Sequence, residues 1–129
     1  MTIARWAHVA SAWLFAAGVL LQGYLAGAAL TQLGGSGDFG THAGIGYSLM
    51  GILALAVPVL ALVGRFPRAH VGWSALLLVL YIVQTTLPAA RGSSPAIAAL
   101  HPVNAMILLV LAGVVAVSAK RQIDRTPAV

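Results

Sequence analysis

The sequence contains no cysteine and only two acidic residues. The absence of cysteine excludes disulfides, thiolate-bound metals, iron–sulfur clusters and thioether-attached haem. The two acids, Asp38 and Asp124, both lie outside the long apolar runs. A proton-driven transporter needs an acidic side chain within the membrane, so that class is disfavoured. A histidine-based transporter and a metal-handling site of His42, His101 and Asp38 remain as alternatives.

Charge of either sign is also scarce. Charged residues make up 7% of the chain and apolar residues 60%, whereas soluble domains are roughly a quarter charged and half apolar. A soluble fold of 129 residues could not bury so much apolar surface, so we expect one integral domain, residues 1–129, in the lipid bilayer. The net charge of +5 lies at the ends of apolar runs and forms no basic stripe, so we expect no nucleic-acid partner.

Four apolar runs are long enough to cross a bilayer, and they predict an all-α, up-down membrane four-helix bundle. We expect the spans at about residues 6–30, 41–63, 70–90 and 95–119, followed by a polar tail at residues 120–129. The first run is longer than the core of a signal peptide, so we expect it to be retained. Ser94-Pro95 is typical of a helix N-cap and first helical residue. Pro58 and Pro102 predict kinks in the second and fourth spans.

Basic residues predict the orientation of the spans. Six of them flank one side of the bundle, and Arg91 alone flanks the other. The six are Arg5, Arg65, Arg68, Lys120, Arg121 and Arg125. Because basic residues favour the cytoplasmic side of a membrane, we expect a multi-pass protein of the cell membrane with both termini in the cytoplasm.

An internal repeat relates the two halves of the chain. A shift of 62 residues places the first span on the third, so that His8 falls on His70 and Gln22 on Gln84. A shift of 59 residues likewise places the second span on the fourth. We therefore predict two pseudo-symmetric helical hairpins, related by an axis along the membrane normal.

This symmetry predicts two histidine pairs inside the bundle. The first and third helices of an up-down bundle are diagonal neighbours, as are the second and fourth. We therefore expect His8 and His70 to meet near the cytoplasmic face, and His42 and His101 near the outer face. Two imidazoles that face each other across a bundle form the arrangement that binds a six-coordinate haem iron.

Small and basic residues near the histidines also favour haem. Gly46 and Ala105 follow the outer histidines by four residues and leave room for a porphyrin. Anionic propionates would find Arg5 and Arg68 on the inner side and Arg91 on the outer side. The sequence thus predicts one or two molecules of heme b, with the four histidines as the iron ligands.

Each of these features also has a purely structural explanation. A histidine close to a helix end is often an interfacial polar residue, because a polar group costs little there. The basic residues are explained as readily by topology as by propionates. Gln22 and Gln84 are better explained as interhelical hydrogen-bond partners than as ligands. The coincidence of four histidines, one per helix in two symmetry-related pairs, favours haem over these explanations.

The constellation resembles the four-helix core of the cytochrome b561 family of transmembrane electron carriers. The segment His101-Pro102 is similar to the ligand segment of that family, which contains a His-Pro pair. The resemblance implies one b-type haem towards each membrane face, one held by His42 and His101 and the other by His8 and His70.

A second resemblance is to one half of haem A synthase, a four-helix bundle with histidines on its second and fourth helices. That resemblance implies a single haem at His42 and His101 and an interfacial position for the other two histidines.

These observations together predict a small b-type membrane cytochrome that transfers electrons across or within the cytoplasmic membrane, rather than a stand-alone enzyme. Two histidine ligands fill both axial positions of the iron, which disfavours oxygen binding and favours one-electron transfer. A redox protein or a quinone would be the partner, and a homodimer or a larger membrane complex the assembly. The alternative is a haem-free scaffold or accessory subunit of a larger complex, which would be colourless when purified.

Overall fold

The structure, a computed structural model, describes residues 2–125, which form helices and no strand. The α-helices are α1 Thr2–Ala29, α2 Gly40–Tyr47, α3 Leu49–Val63, α4 Arg68–Thr86, α5 Pro95–Ala98 and α6 Leu100–Asp124. Two 3₁₀ helices, η1 Thr31–Leu33 and η2 Leu87–Gly92, lie between them. The all-α fold predicted from the sequence is confirmed.

Four helical stretches are long and apolar enough to cross a membrane, and we call them the first to fourth spans. They are Ile3–Ala29, Gly40–Val63, Arg68–Gly92 and Pro95–Asp124. No more than 39% of the most apolar window of any span is buried inside the bundle. Most of the apolar surface therefore faces outward, which is stable only in lipid. The chain is a multi-pass membrane protein.

The four spans form an up-down bundle. Each span packs against the next along the chain, and the first also packs against the fourth. The first and third spans, and the second and fourth, are therefore diagonal neighbours. We call the end that holds residues 2–8, the turn at 64–67 and the end of α6 the terminal end. The opposite end, with segments 30–39 and 93–94, is the loop end.

An apolar layer fills the centre of the bundle between these two ends. Its buried side chains include Phe15, Met50, Leu77 and Leu108, with alanines between them at positions 12, 54, 112 and 116. The alanines let the helices approach closely, because small residues bring helix backbones together in a bilayer. This layer separates the polar groups of the terminal end from those of the loop end.

The helices extend further at the terminal end than the apolar runs predict. The first helix begins at Thr2 rather than residue 6, and the last continues to Asp124. The predicted polar tail is therefore helical as far as Asp124, while residues 126–129 lie outside the described part of the chain. A membrane helix needs no apolar side chains beyond the hydrocarbon core. An ion pair of 2.7 Å between Lys120 and Asp124, spaced i,i+4, supports the last turn.

Two of the spans are interrupted within their length. The second is broken at Ser48, between α2 and α3, whereas α3 runs on through Pro58. The Ser48 hydroxyl donates to the Gly44 carbonyl at 2.6 Å, and such back-bonding bends helices. The fourth span begins at Pro95, as predicted, and is broken before α6 begins at Leu100. Pro102 follows the break, and its missing N–H removes a helical hydrogen bond there.

The turn between the second and third spans is a tight helix cap. The Phe66 N–H donates to the Ala61 carbonyl at 3.1 Å, and the Arg65 N–H donates to the Leu62 carbonyl at 3.0 Å. These are the two bonds of a Schellman motif. Arg65 has a φ of +52°, a conformation that glycine adopts at lower cost. The turn places the ring of Phe66 inside the terminal end, where it is buried.

Candidate functional site

The four histidines form two pairs across the diagonals of the bundle, as the repeat predicts. At the terminal end, the Nε2 atoms of His8 and His70 lie 2.8 Å apart. At the loop end, the ring centroids of His42 and His101 lie 6.2 Å apart, with 69° between the ring planes. The pairing itself is confirmed, and the role of the histidines as iron ligands stays a prediction.

The terminal-end pair belongs to a continuous chain of hydrogen bonds. His8 Nδ1 lies 2.9 Å from the Val57 carbonyl, so this nitrogen carries the proton and donates. In a neutral ring the Nε2 of His8 is then an acceptor, and His70 Nε2–H donates to it. The remaining nitrogen, His70 Nδ1, accepts from the Gln122 amide at 3.3 Å. Every ring nitrogen of this pair therefore has a protein partner.

Phe66 closes the space around the terminal-end pair. Its ring stacks on His70 with centroids 4.7 Å apart, and it lies 4.9 Å from the His8 ring. An iron held between two imidazoles needs nitrogens about 4 Å apart, because metal–imidazole bonds are about 2 Å long. In the present arrangement the two Nε2 atoms are hydrogen-bonded at 2.8 Å, which leaves no space for an iron between them.

The two arginines predicted to face an inner propionate take different positions. Arg5 donates from Nε to the Gly64 carbonyl at 3.0 Å, and its guanidinium lies 4.9 Å above the centroid of the Phe66 ring. It therefore supports the cap of α3, where a cation also complements the helix dipole. Arg68 is exposed at the first residue of α4.

The loop-end histidines are anchored in the same way on both halves of the repeat. His42 Nδ1 lies 3.1 Å from the Gln22 carbonyl, and His101 Nδ1 lies 3.0 Å from the Gln84 carbonyl. Only an N–H can donate to a carbonyl, so both rings carry their proton on Nδ1. The Nε2 lone pair of each ring is therefore directed away from its anchor, which is the tautomer that a metal-binding histidine needs.

Pro88 explains why the Gln84 carbonyl is available to His101. In a regular helix this carbonyl would accept from the N–H of residue 88, but proline has none. The helix accordingly ends at Thr86 and continues as the 3₁₀ helix η2. The proline thus frees an acceptor at the position where the imidazole of the neighbouring span needs one.

The separation of the loop-end rings is compatible with a bis-histidine iron site, although it is also an ordinary distance for two rings in edge contact. Two metal–imidazole bonds of about 2 Å and two ring radii of about 1.2 Å would place the centroids about 6.4 Å apart. The distance between the centroids of His42 and His101 is 6.2 Å. The ring of Phe39 packs edge-on against His42 with centroids 6.2 Å apart, which limits the rotation of that imidazole.

The two glutamine side chains at the loop end differ in their hydrogen bonding. The Gln84 amide donates to His101 Nε2 at 3.2 Å and accepts from the Asn104 amide at 2.8 Å. Asn104 also donates to the Leu80 carbonyl at 2.9 Å. The interhelical role predicted for Gln84 is confirmed. By contrast, both polar atoms of the Gln22 side chain are buried without a hydrogen-bond partner, which is costly unless a ligand satisfies them.

A cavity of about 330 Å³ opens between the spans at the loop end. This volume is at the lower end of the range for cofactor pockets, and its wall is mainly apolar, as is typical of such pockets. Aromatic side chains form much of this wall, namely those of Phe15, Phe39, Tyr47 and Tyr81. Both loop-end histidines and both glutamines also line it.

The small and basic residues predicted at this site line the cavity as well. Gly46 and Ala105 both form part of its wall, and Arg91 lies at its edge with an exposed side chain. A Cβ atom at Gly46 would lie 3.7 Å from the Gln22 amide nitrogen, so the missing side chain keeps that amide open to the cavity. The structure therefore brings together His42, His101, Gly46, Ala105 and Arg91.

Several residues of the two clusters were not predicted from the sequence. Phe66 and Gln122 complete the terminal-end cluster, and Asn104 orders Gln84 at the loop end. Asn104 had a visible signal, since it is a polar residue inside an apolar span and such residues usually find a partner. Phe66 had none, because its place inside the bundle depends on the backbone turn at Arg65.

The fold and the paired histidines define a class, that of small four-span membrane bundles with polar clusters at both ends of an apolar core. Within that class the chain belongs to the family of unknown function DUF6220, whose family model matches residues 22–90. The match contains His42 and His70 but not their partners. No curated protein and no solved structure matches the chain.

Proposed function

We propose that the chain is a small b-type cytochrome that binds one haem at the loop end, where His42 and His101 would hold it. The observation that carries the proposal is the pair of histidines on one cavity, both anchored through Nδ1 and with ring centroids 6.2 Å apart. The terminal-end histidines bind each other in this structure, so the proposal has one haem rather than two. Electron transfer in the membrane is the function that such a site supports best.

Four features of the chain support haem at this position. The carbonyls of Gln22 and Gln84 fix the Nδ1–H tautomer of both ligands. The cavity walls are mainly apolar, as is typical of cofactor pockets. The unpartnered Gln22 amide offers a donor and an acceptor to a bound group. Arg91 lies at the cavity edge, where a cation suits an anionic propionate.

The haem would supply a one-electron redox centre, while the chain determines its potential and accessibility. With both imidazoles bound, the haem would favour one-electron transfer over oxygen chemistry. The anchoring carbonyls make the imidazoles more basic and thereby favour the oxidised iron. A redox protein or a quinone would exchange electrons at the loop end, because the apolar layer separates this site from the terminal end.

Haem binding requires at least one rearrangement of the described side chains. The Gln84 amide donates a hydrogen bond to His101 Nε2 at 3.2 Å. The Gln84 side chain must rotate away before His101 can bind iron. Asn104, which donates to the same amide, must move with it or lose that hydrogen bond. Since a neutral hydrogen bond contributes about 1 kcal/mol, an iron–imidazole bond outweighs this cost.

The test is an absorption spectrum of the full chain purified in detergent, oxidised and reduced, with haem counted per chain. We expect one haem per chain and a low-spin bis-histidine spectrum. His42→Ala should lose that spectrum, because one axial ligand is missing, and added imidazole should restore it by filling the vacated position.

The terminal-end pair offers a matched control. His70→Gln should retain the haem spectrum, because this histidine lies at the other end of the bundle. Two haems per chain would instead support the arrangement with one haem towards each membrane face, the second held by His8 and His70. A colourless protein that takes up no added haem would instead favour the scaffold or accessory-subunit alternative, in which Gln84 remains the partner of His101.

A further inference from the structure

A groove runs along the lipid-facing side of the bundle where the first and fourth spans meet at the terminal end. Trp13 lines it from the first span, and Val110, Val114 and Val117 line it from the fourth. These four side chains are between 37% and 66% exposed. The groove therefore presents an apolar surface to the lipid or protein that packs against the bundle in the membrane.

Two arginines lie at the mouth of this groove. Arg121 and Arg125 both line it, one helical turn apart, and both are exposed. Within residues 2–125 the only ion pair is that between Lys120 and Asp124, so in this part of the chain neither arginine of the groove has an acidic partner. Two cations at one end of an apolar groove complement a lipid, whose anionic headgroup is attached to apolar acyl chains.

The length of the groove fits one leaflet of a bilayer. It extends over fifteen residues, from Val110 to Arg125 just past the end of the fourth span, which is about 22 Å of helix. A bilayer with its headgroups is roughly 42 Å thick, so one leaflet is about 21 Å. The groove thus extends from the headgroup level to the middle of the membrane.

Gly113 keeps the floor of the groove open. It lines the groove, and a Cβ atom built there would meet no other atom within 4 Å. A larger side chain at this position would therefore occupy the groove without a clash inside the bundle. A substitution at Gly113 can therefore fill the groove while leaving the core of the bundle unchanged.

We propose that this groove binds one anionic phospholipid, with its phosphate between Arg121 and Arg125 and one acyl chain along the valines. The Gln122 amide, which also lines the groove, donates to His70 Nδ1 at 3.3 Å. The bound headgroup would therefore lie beside the chain of hydrogen bonds that ends in the buried histidine pair.

The test is native mass spectrometry of the full chain in detergent, titrated with phosphatidylglycerol or with phosphatidylcholine. We expect phosphatidylglycerol to be retained more tightly. Each basic residue at a membrane surface contributes roughly fivefold to the affinity for anionic lipid. The double variant Arg121→Gln/Arg125→Gln should therefore bind phosphatidylglycerol roughly 25-fold more weakly and bind phosphatidylcholine unchanged.

Two further variants separate a lipid site from a general effect of charge. Arg68→Gln removes one exposed charge from the same end of the bundle outside the groove and should leave phosphatidylglycerol binding unchanged. Gly113→Leu should weaken retention of both lipids, because it fills the part of the groove that holds the acyl chain. A loss of about fivefold in Arg68→Gln, which is the effect of one charge, would reduce the effect to net charge and overturn the site. Displacement of the lipid by inorganic phosphate, with no effect of Gly113→Leu, would show a simple anion site and also overturn it.

Discussion

Hydrogen bonding decides what each polar side chain in the interior contributes. The His8–His70 contact is one bond in a chain that begins at Gln122 and ends at the Val57 carbonyl. Such a chain is stable only when every member has its partner, because an unpaired buried polar group costs about 1–3 kcal/mol. At the loop end, Gln22 lacks such partners among the described residues, and there the structure offers a place for a ligand.

The buried histidine pair gives a prediction about stability. His70→Leu should destabilise the bundle by about 1–3 kcal/mol, because His8 Nε2 is left buried without a donor. The double variant His8→Leu/His70→Leu should lose less than the sum of the two single variants, since both polar groups are then replaced together. Unfolding by sodium dodecyl sulfate, followed by tryptophan fluorescence, gives the three free energies. Strictly additive losses would show that the two rings do not act as a bonded pair.

Interruptions and caps determine where each helix presents its side chains. The break at Ser48 follows the segment that carries His42, and the 3₁₀ helix η2 follows Gln84. At the opposite end, the Schellman turn with Arg65 in the left-handed region turns Phe66 into the bundle. Each polar cluster is therefore built where a helix departs from regular geometry.

Arg65 allows the cost of that turn to be measured. A residue with a side chain in the left-handed region costs roughly 1–2 kcal/mol, whereas glycine adopts the conformation freely. Arg65→Ala removes the side chain and keeps the strain, while Arg65→Gly removes both. We expect the glycine variant to be more stable than the alanine variant by about 1 kcal/mol, as measured by the same unfolding titration. Equal stabilities would mean that the turn relaxes out of this conformation when the arginine side chain is lost.

The sequence predicts the elements better than the contacts within the clusters. Apolar runs locate all four spans because lipid allows few other patterns. The shift of 62 residues also predicts that His8 and His70 meet, because a repeat in a closed bundle has one symmetric arrangement. The 2.8 Å contact between them was not predictable, since it depends on helix rotation and on how deeply Phe66 inserts. Helix ends at Thr2 and Asp124 were missed because hydropathy carries no signal beyond the hydrocarbon.

At the scale of the whole molecule, the two helical hairpins are similar in their backbone contacts and different in their side chains. The anchors of the loop-end histidines are equivalent, since Gln22 and Gln84 use the same backbone atom in both halves. The side chains of the two glutamines are not equivalent, because only Gln84 meets Asn104. At the position related to Asn104 by the shift of 59 residues, the first half has Ile45. One apolar-to-polar difference thus makes the two sides of the cavity chemically distinct.

Orientation in the membrane is the prediction that concerns the whole chain. We propose that the terminal end faces the cytoplasm, because six of the seven basic residues flank it. As the chain has no cysteine, a single cysteine reports its position without further changes. In intact cells, Ser36→Cys in the loop should react with a membrane-impermeant maleimide and Asp124→Cys should not. The reverse pattern would place the loop end, and the proposed haem with it, in the cytoplasm.

The apolar layer at the middle of the bundle has a consequence for the cell that makes this protein. Phe15, Leu77 and Leu108 are buried there with alanines packed between them. Hydrated ions and protons cross a membrane only where water or polar groups line a path. We therefore expect this packed layer to block the passage of ions and protons through the bundle. Even at high abundance, the protein should not dissipate the electrical potential across the membrane in which it resides.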